Sequence, residues 1–416
     1  MFVCGGLSVF VCGGTFVTRY RAAWVLPIVQ PPIPGGVVSV ERDLIAAVGA
    51  FDGGAVEDLG NVAILPGLVN AHTHLELSWM RGRVAPCASM PAWAAALMAL
   101  RAAEHAEHAD RRPPSAASIV DAIREARASG TCLLGDVANT FATYEPLMDS
   151  ELSAVLFREL LGFSTPDPGA LVDAVSAQIA DLTPIAWLRP AIVPHAPYSV
   201  SPALLQAIVR RNAGKPLSIH LGESAQELEF LRDGTGEWRA LLEVLGVWNP
   251  SWAPPACGPV EYLDRLGMVD PHLLAVHGVH FTDAELSRLS AARATVVACP
   301  RSNRWTGAGV PPIERFYASA VRVAIGTDSL ASVDDLNLFA ELAEVRRLAP
   351  RVPASRILES ATLAGATALG FDSDLGSISP GKRSQLLTVR LPAGVADVEE
   401  YLLGGVEPAD VRWLDA

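Results

Sequence analysis

Two histidines separated by one residue place the strongest constraint on how this chain can fold. His72 and His74 close the run Leu65-Pro66-Gly67-Leu68-Val69-Asn70-Ala71-His72-Thr73-His74. Because successive side chains of a β-strand alternate between its two faces, residues at a spacing of two leave the same face. Two imidazoles on one face are suited to bind one metal ion. The run therefore predicts a metal site at the end of a strand.

The composition excludes several classes of partner. The chain has 416 residues, 50% of them hydrophobic, and a formal net charge of −13 at pH 7. Such an acidic protein gains neither counterion release from nucleic acid nor attraction to an anionic membrane. We therefore expect a small neutral or cationic substrate, with no nucleic-acid partner and no membrane partner. The oligomeric state stays open, with a homodimer as one alternative.

The cysteines and the start of the chain predict a cytoplasmic protein. Six cysteines are scattered without a Cys-x-x-Cys pair, which indicates reduced thiols rather than a disulfide framework. The segment from Met1 to Thr18 is apolar and rich in glycine but lacks a basic n-region, so a signal peptide is not expected. No uninterrupted apolar run is long enough to cross a bilayer.

Short apolar runs alternate with segments of helical periodicity along most of the chain, which is typical of parallel strands linked by helices. The runs are Leu68 to His74, Thr131 to Ala138, Ala154 to Gly162, Leu188 to His195, Leu217 to His220, Leu273 to His277, Ala294 to Ala298 and Val321 to Thr327. The helical segments include Ala117 to Ala128, Pro202 to Arg211 and Leu336 to Leu348. Eight strands with intervening helices predict an α/β fold, namely a (β/α)8 TIM-type barrel.

Both ends of the chain break this rhythm. Residues before about Leu65 and after about Leu375 are rich in Val, Gly and Pro, with strand-like pieces at Val37 to Val40 and Gln385 to Val389. We expect them to form one small β-sandwich domain built from both chain ends. The predicted boundaries are 1–65 and 374–416 for the small domain and 66–373 for the barrel.

Two long connections follow the first and the fifth predicted strand. They run from Leu75 to Ser118 and from Gly236 to Gly258, and both carry tryptophans. Loops on this side of barrel strands form substrate pockets, so we expect these segments to shape the site. The alternative that the tryptophans only anchor the loops stays open.

Residues able to bind metal recur where the predicted strands end. They are His72 and His74, then His195, then His220 with Glu223, then His277 and finally Asp328. The carboxyl ends of barrel strands meet at one mouth, so residues far apart in sequence can reach the same ion.

The order of these motifs resembles the amidohydrolase superfamily. The resemblance rests on His72-Thr73-His74, His220-Leu221-Gly222-Glu223, His277 and Gly326-Thr327-Asp328, and it also includes Pro194 to Ser199, Cys299 to Asn303 and Gly376 to Lys382. It covers nearly the whole chain. It is closest to the mononuclear branch of deaminases and chlorohydrolases, which contains cytosine, guanine, methylthioadenosine and aminofutalosine deaminases and triazine hydrolases.

This resemblance implies a set of roles. His72, His74, His220 and Asp328 would bind one divalent ion, for which Zn²⁺ is expected and Fe²⁺ is the alternative. The ion would convert water into hydroxide near neutral pH. Glu223 would protonate a ring nitrogen of the substrate, His277 would help to deprotonate the water, and Asp328 would pass a proton to leaving ammonia.

Further residues are expected to contact the substrate. The resemblance implies His195. Glu76 and Arg158 are candidates because they lie near strand ends, Trp79 because it lies on the first long connection, and Ser302 and Asn303 because they follow the seventh strand. For Glu76 and Arg158 the alternative is a local ion pair or hydrogen bond, and for Ser302 and Asn303 it is a turn.

Three other histidines need an interpretation. His280 is the alternative to His277 as the catalytic histidine, although the family pattern favours His277. His105 and His108 lie in a polar stretch that predicts an exposed helix face.

The lysines favour a single metal ion. Binuclear members of the superfamily commonly carry a carbamylated lysine at the end of the fourth strand. This chain has only Lys215 and Lys382, and its predicted fourth strand ends at His195 instead. The alternative is a carboxylate such as Glu223 that bridges a second ion.

Together these patterns predict a hydrolase acting on carbon–nitrogen bonds other than peptide bonds. The resemblance implies a hydrolytic deaminase of an amino-substituted heterocycle, a purine or purine-nucleoside derivative. The runs Glu223 to Leu231 and Leu75 to Ser78 resemble aminofutalosine deaminases. One alternative is a chlorohydrolase or cyclic amidohydrolase with the same metal site, and another is a catalytically silent barrel that binds a ligand.

Overall fold

A computed structural model describes residues 17–107 and 115–414, without the side chains of residues 105–107 and 115. The expectations for most of the segment from Met1 to Thr18 and for the side chains of His105 and His108 therefore lie outside the described residues.

The first part of the described chain consists of short strands. They are β1 Val17–Arg21, β2 Trp24–Val25, β3 Ile33–Pro34, β4 Gly36–Glu41, β5 Leu44–Ala50, β6 Glu57–Asp58 and β7 Val62–Pro66. Two more strands lie near the other end of the chain and are numbered after the strands of the α/β region.

The middle of the chain supplies eight parallel strands, and their bounds agree with the predicted runs to within two residues at each end. They are β8 Leu68–Thr73, β9 Thr131–Ala138, β10 Ser153–Leu160, β11 Leu188–Pro194, β12 Leu217–Leu221, β13 Leu273–His277, β14 Thr295–Ala298 and β15 Arg322–Ile325. They form two four-stranded sheets, in the orders β11-β10-β9-β8 and β12-β13-β14-β15. Every residue of β9 is buried, as expected for a parallel strand covered on both faces.

Backbone hydrogen bonds link the edges of these two sheets. The amide of His220 in β12 donates to the carbonyl of His195, just beyond β11, at 2.9 Å. The amides of Thr327 and Asp328, just beyond β15, both donate to the carbonyl of His72 in β8, at 3.1 Å. The two sheets are therefore in contact at both seams through their carboxyl ends.

Helices lie between the parallel strands and after the last of them, β15. They are α1 Met90–Glu107, α2 Ser115–Ala128, α3 Tyr144–Met148, α4 Pro168–Ala180, α5 Pro202–Arg211, α6 Ala225–Asp233, α7 Gly236–Val244, α8 Pro259–Arg265, α9 Asp283–Ala291, α10 Pro300–Trp305, α11 Ile313–Ala318, α12 Leu338–Leu348, α13 Ala354–Ser360, α14 Leu363–Ala368 and α15 Val398–Leu402. The three predicted helical segments correspond to α2, α5 and α12. Helix α5 shows the local reason for its start, because Ser201 caps the amide of Leu204 and Pro202 occupies the first turn.

Both long connections contain helices, so the expectation of loops is wrong for much of their length. The first contains a 3-10 helix, Leu75–Met80, followed by α1, and the second contains α7. Helix α1 is rich in alanine, which has the highest helix propensity. Trp93 and Trp238 are buried, and the ring of Trp238 stacks on Tyr198 with centroids 3.7 Å apart. These two tryptophans anchor their connections.

The two ends of the chain meet in one sheet. Strands β16 Leu386–Arg390 and β17 Val411–Trp413 complete the strands of the described chain. Strand β16 pairs antiparallel with β7, giving a sheet of order β17-β16-β7-β2-β3 beside a second sheet of order β5-β4-β1-β6. A hydrophobic cluster that includes Tyr20, Val38, Ile64 and Leu386 contains residues of both sheets.

Within the described residues, none of the helices has the length and apolar character needed to cross a membrane.

A glycine permits the close approach of β15 to β8. A Cβ atom built on Gly326 would lie 2.7 Å from the carbonyl oxygen of His72 and 2.9 Å from its Cβ atom. The backbone of Gly326 is hydrogen-bonded to Ala298 at 3.0 Å, so the segment cannot simply swing away.

We predict that Gly326→Ala lowers the free energy of unfolding by about 1–3 kcal/mol, because the added methyl group displaces His72. Thermal unfolding and metal content measure the effect. Gly49→Ala is the matched control, since a Cβ atom there meets nothing within 4 Å. Equal unfolding temperatures for the two variants would show that the close approach at Gly326 does not contribute to stability.

Candidate active site

Three imidazoles and a carboxylate converge at the carboxyl ends of strands from both parallel sheets. The Nε2 atoms of His72 and His74 lie 3.2 Å apart. Asp328 Oδ1 lies 3.4 Å from His74 Nε2 and 3.8 Å from His72 Nε2. Single ring nitrogens of His72, His74 and His220 all lie within 4.8 Å of one another. The structure thus brings together the residues that sequence analysis assigned to one ion.

The chemistry of this donor set fits a divalent metal ion. All four side chains are buried, and His220 Nε2 has no hydrogen-bond partner among the described residues. Burying an unpaired polar atom is costly, so an unpartnered nitrogen that faces two others indicates a ligand site. Three imidazoles with one carboxylate are suited to Zn²⁺ or Fe²⁺.

The protonation equilibria of the imidazoles also fit a cation. Burial lowers the pKa of His72 well below its ordinary value and lowers the pKa of His74 to about 3. Both rings are therefore neutral near pH 7, which is the form that binds metal. Burial also lowers the pKa of His220, but the nearby carboxylates of Glu223 and Glu159 outweigh it and raise that pKa to about 9. These carboxylates favour positive charge at this point, and a divalent cation can supply it.

Glu223 and His277 lie directly beside His220. Glu223 Oε1 is 3.5 Å from His277 Nε2, and Glu223 Oε2 is 3.7 Å from His220 Nδ1. His277 Nε2 lies 2.9 Å from His220 Nδ1. Glu223 is 1% exposed, and its Oε2 has no hydrogen-bond partner among the described residues. A buried carboxylate with an unpartnered oxygen is a candidate for proton transfer.

The turn after β12 determines where Glu223 points. Gly222 has a φ of +59° and packs against the ring of Phe281, which would lie 2.6 Å from an added Cβ atom. Both carboxylate oxygens of Glu227, in the first turn of α6, accept backbone hydrogen bonds here. Oε1 accepts from the amide of Gly222 at 2.9 Å, and Oε2 accepts from the amide of Glu223 at 3.0 Å. Burial raises the pKa of Glu227 to about 8, although the two backbone donors oppose the shift.

Ser302 and Asn303 contact the predicted catalytic residues. The Ser302 hydroxyl donates to Asp328 Oδ2 at 2.5 Å. Asn303 Nδ2 lies 2.9 Å from His277 Nδ1, which leaves the other ring nitrogen of His277 facing His220 and Glu223. Both residues lie in α10, so the alternative of a simple turn after the seventh strand is wrong. Their observed contacts orient Asp328 and His277.

The other residues predicted to contact substrate lie around this cluster or beside it. The ring of His195 lies 4.9 Å from that of His220, and its Nδ1 lies 2.6 Å from the Ser199 hydroxyl. Burial lowers the pKa of His195 to about 3, so this ring is also neutral.

Glu76, Trp79 and Arg158 have local partners. Glu76 Oε2 accepts from the amide of Asn139 at 2.6 Å. Arg158 Nη1 donates to the carbonyl of Glu159 at 2.7 Å, whereas its buried Nε has no partner among the described residues. The ring of Trp79 packs against the guanidinium of Arg83. These contacts match the local structural alternative for Glu76 and, in part, for Arg158.

The side chain of His280 has a hydrogen-bond partner of its own. Its Nε2 pairs with the carbonyl oxygen of Ala308 at 3.1 Å. His277 is therefore the histidine that the structure places against His220 and Glu223.

Sequence analysis missed Glu159 and Glu227. Glu159 lies near the end of β10, with Oε1 3.7 Å from His220 Nε2 and Oε2 accepting from Asn139 Nδ2 at 2.7 Å. The rule that found the histidines, a polar residue where a barrel strand ends, would also have found this carboxylate. Glu227 gives no such signal, because a glutamate in the first turn of a helix is ordinary.

Comparison with known proteins places the chain in a family. The pattern of the amidohydrolase family matches residues 63–404. The match covers well over half of the chain, and the chain belongs to this family. The resemblance drawn from the motifs is therefore confirmed.

Similar proteins extend over nearly the same length. A 5-methylthioadenosine/S-adenosylhomocysteine deaminase from Moorella thermoacetica is 29% identical over 415 residues, covering 93% of this chain and 90% of that protein. An aminodeoxyfutalosine deaminase from Deinococcus radiodurans is 31% identical over 363 residues, covering 81% and 82%. The crystal structure of an adenosine deaminase from Xanthomonas campestris with bound zinc is 27% identical, with a TM-score of 0.76 and coverage of 95% and 90%.

We predict that His220→Ala sharply lowers metal content, measured by elemental analysis of the purified protein. Removing a ligand should weaken metal binding by more than the roughly 10- to 100-fold that loss of a residue orienting a ligand costs. His280→Ala is the matched control, because that ring bonds to Ala308 and belongs to none of the groups of described residues that could hold a metal ion. Normal metal occupancy in the His220 variant would remove this residue from the ligand set.

Proposed function

We propose that this protein is a hydrolytic deaminase of an amino-substituted purine nucleoside or a close derivative. It would thus be a hydrolase of carbon–nitrogen bonds other than peptide bonds. The observation that carries the proposal is the buried Glu223 carboxylate, held 3.5 Å from His277 and 3.7 Å from His220 beside the set of candidate ligands. The names of the relatives support it, since two of them, at 29% and 31% identity, are deaminases.

The proposed cofactor is one divalent ion held by His72, His74, His220 and Asp328, with Zn²⁺ favoured over Fe²⁺. The relative from Xanthomonas campestris, which was crystallised with zinc, supports this choice. When bound, such an ion lowers the pKa of a coordinated water and so supplies a nucleophile near neutral pH. Lys215 precedes β12 and Lys382 precedes β16, so neither lies where a carbamylated lysine would bridge two ions.

The protein residues would move the protons. Glu223 donates a proton to the ring nitrogen next to the carbon under attack, which raises the electrophilicity of that carbon. His277, whose Nδ1 contacts Asn303, accepts a proton from the attacking water through Nε2. Asp328, oriented by Ser302, takes the remaining proton of the attacking water and passes it to the departing amino group, which leaves as ammonia. The proton on His277 then returns to Glu223, 3.5 Å away. One water is consumed, and an amino group is exchanged for a carbonyl oxygen.

The proposed architecture is a single closed (β/α)8 barrel with residues 66–373. The hydrogen bonds at both seams, from His220 to His195 and from Thr327 and Asp328 to His72, support closure. Residues 1–65 and 374–416 would form a β-sandwich, which the hydrophobic cluster shared by the two antiparallel sheets supports.

Among the substrate contacts, we propose His195 and Arg158, whereas Glu76 and Trp79 stay predictions. The proposal is supported for His195 by its position beside His220 and for Arg158 by its unpartnered Nε. For Ser302 and Asn303 we propose positioning roles, because both contact predicted catalytic residues.

A small-molecule substrate and a cytoplasmic location complete the proposal. Cys87, Cys132, Cys257 and Cys299 are free thiols in the structure, which fits a reducing compartment. We propose no nucleic-acid or membrane partner, on the basis of the net charge of −13. A homodimer remains one alternative for the oligomeric state.

A panel of substrates tests the proposed reaction. Ammonia release is measured from adenosine, 5-methylthioadenosine, S-adenosylhomocysteine, aminodeoxyfutalosine, guanine and cytosine. Cyclic amides and chlorotriazines form the second arm, because the same metal site would serve those reactions. We expect turnover of at least one adenosine derivative and none in the second arm. Turnover confined to the second arm would replace the deaminase with a chlorohydrolase or cyclic amidohydrolase. A loaded enzyme inactive throughout would favour the ligand-binding barrel.

We predict that Glu223→Gln keeps its metal but loses roughly 10²- to 10⁴-fold in kcat, because the amide cannot donate the proton to the ring. Ammonia release and metal analysis on the same sample separate the two effects. Glu229→Gln, in the same helix region but bonded to Thr235, serves as control. Wild-type rates in the Glu223 variant would refute its role.

We predict a smaller loss for Glu227→Gln, of roughly tenfold to a hundredfold in kcat. In the native protein each backbone N–H of Gly222 and Glu223 donates to one carboxylate oxygen of Glu227. The side-chain NH2 group of glutamine cannot accept one of these bonds, so the turn carrying Glu223 loses a hydrogen bond. The KM, the metal content and the unfolding temperature distinguish a displaced Glu223 from general damage. If kcat stays constant while only the unfolding temperature falls, Glu227 is structural.

A further inference from the structure

A cavity of about 890 Å³ lies at the amino ends of the strands whose carboxyl ends carry the candidate active site. Its lining includes Pro190 in β11, Pro216 and His272 just before β12 and β13, Arg293 before β14, and Arg322 at the start of β15. His272 precedes β13, and His277 ends it, so at ~3.3 Å per residue the two lie about 16 Å apart. The cavity is therefore separate from the candidate active site.

The charged residues that line this cavity are basic. They are Arg189, Lys215, Arg293 and Arg322, accompanied by His272. No aspartate or glutamate is among the described residues of the lining. The compensating carboxylates lie outside the lining, where Asp374 forms an ion pair of 3.9 Å with Arg189 and the charges of Asp372 and Glu359 act on Arg322. A concentration of positive charge is unexpected in a chain with a net charge of −13, and it would attract an anion.

The basic residues of the lining fall into two sets. Two arginines donate hydrogen bonds to backbone carbonyls, and three other side chains are free to bind a ligand. Arg189 Nη1 donates to the carbonyl of Gly370 at 2.7 Å, and Arg322 Nη1 donates to the carbonyl of Arg293 at 3.2 Å. The side chains of Lys215, His272 and Arg293 form no hydrogen bond or ion pair with the described part of the chain. Lys215, His272 and Arg293 are exposed, so their donors can turn toward a carboxylate or phosphate bound beside the two hydrogen-bonded guanidinium groups.

The remaining walls are mostly apolar. They include Ile179, Leu182, Ile185, Leu188 and Leu369. A volume of about 890 Å³ is that of a site for a small organic ligand. Apolar walls with a basic rim match a molecule that has an apolar body and one anionic group.

We propose that this cavity is a second ligand site, which binds a small organic anion consisting of an apolar body and a phosphate or carboxylate group. The anionic group is held by Lys215, Arg293 and His272, and the apolar body packs against the walls formed by α4, the segment after it and the end of α14. The site does not depend on the proposed deaminase activity.

Calorimetric titration of the metal-loaded protein with 1-naphthyl phosphate tests this site, and 1-naphthol is the uncharged comparison. We expect saturable binding of one molecule per chain, weakened by added salt, and much weaker binding of naphthol. Lys215→Gln with Arg293→Gln should weaken binding of the phosphate about tenfold or more, because two charge-assisted hydrogen bonds are lost. Arg210→Gln is the control, since that arginine is exposed and outside the lining.

Several results would overturn the proposal. They are an absence of binding at millimolar probe, equal binding of naphthol, and unchanged affinity in the double variant, which would place the probe at the metal site or elsewhere. Unfolding temperatures and ammonia release should stay at wild-type values in the double variant. If the double variant fails to fold, Lys215→Glu alone gives the same test, and an affinity equal to that of wild type would again contradict the site.

Discussion

The junction between β8 and the end of β15 is the constraint on which the candidate active site depends. The carbonyl of His72 accepts hydrogen bonds from the amides of both Thr327 and Asp328. The Asn70 side chain adds two more bonds, donating to the Thr327 hydroxyl at 2.8 Å and accepting from its amide at 3.1 Å. These bonds hold the histidine pair beside a carboxylate more than 250 residues away in sequence. Without this junction, the histidine pair would not be held against Asp328.

The cluster stores unfavourable interactions that the surrounding structure must offset. His277 and Asp328 have φ values of +76° and +62°, a region that non-glycine residues rarely occupy. His220 Nε2 and Glu223 Oε2 are buried without partners among the described residues. Strain and unsatisfied polar groups of this kind concentrate at functional sites, where a ligand or a reaction supplies the compensation. With Glu223, the two strained residues are those to which we assign proton transfers.

The sequence predicts the parallel strands and the ligand candidates for one physical reason. A buried parallel strand is a short apolar run, and a polar residue at its end is conspicuous, as with His220 after Leu217 to Ile219. Glu227, Ser302 and Asn303 act through contacts made when α6 and α10 pack against the strand ends, and no local pattern encodes such contacts. Helix α7 was missed because its glycine start and its tryptophan suggest a loop as readily as a helix.

Charge is distributed unevenly along the strand direction. Glu159, Glu223, Glu227 and Asp328 are buried around the carboxyl ends, whereas arginines and a lysine line the cavity at the amino ends. The carboxyl groups at that end surround the candidate ligands of a cation, and Glu223 is the proposed proton donor. An organic anion is better accommodated at the other end, where the basic groups lack carboxylate partners in the lining. The parallel strands thus run between one end suited to a cation and another end suited to an anion.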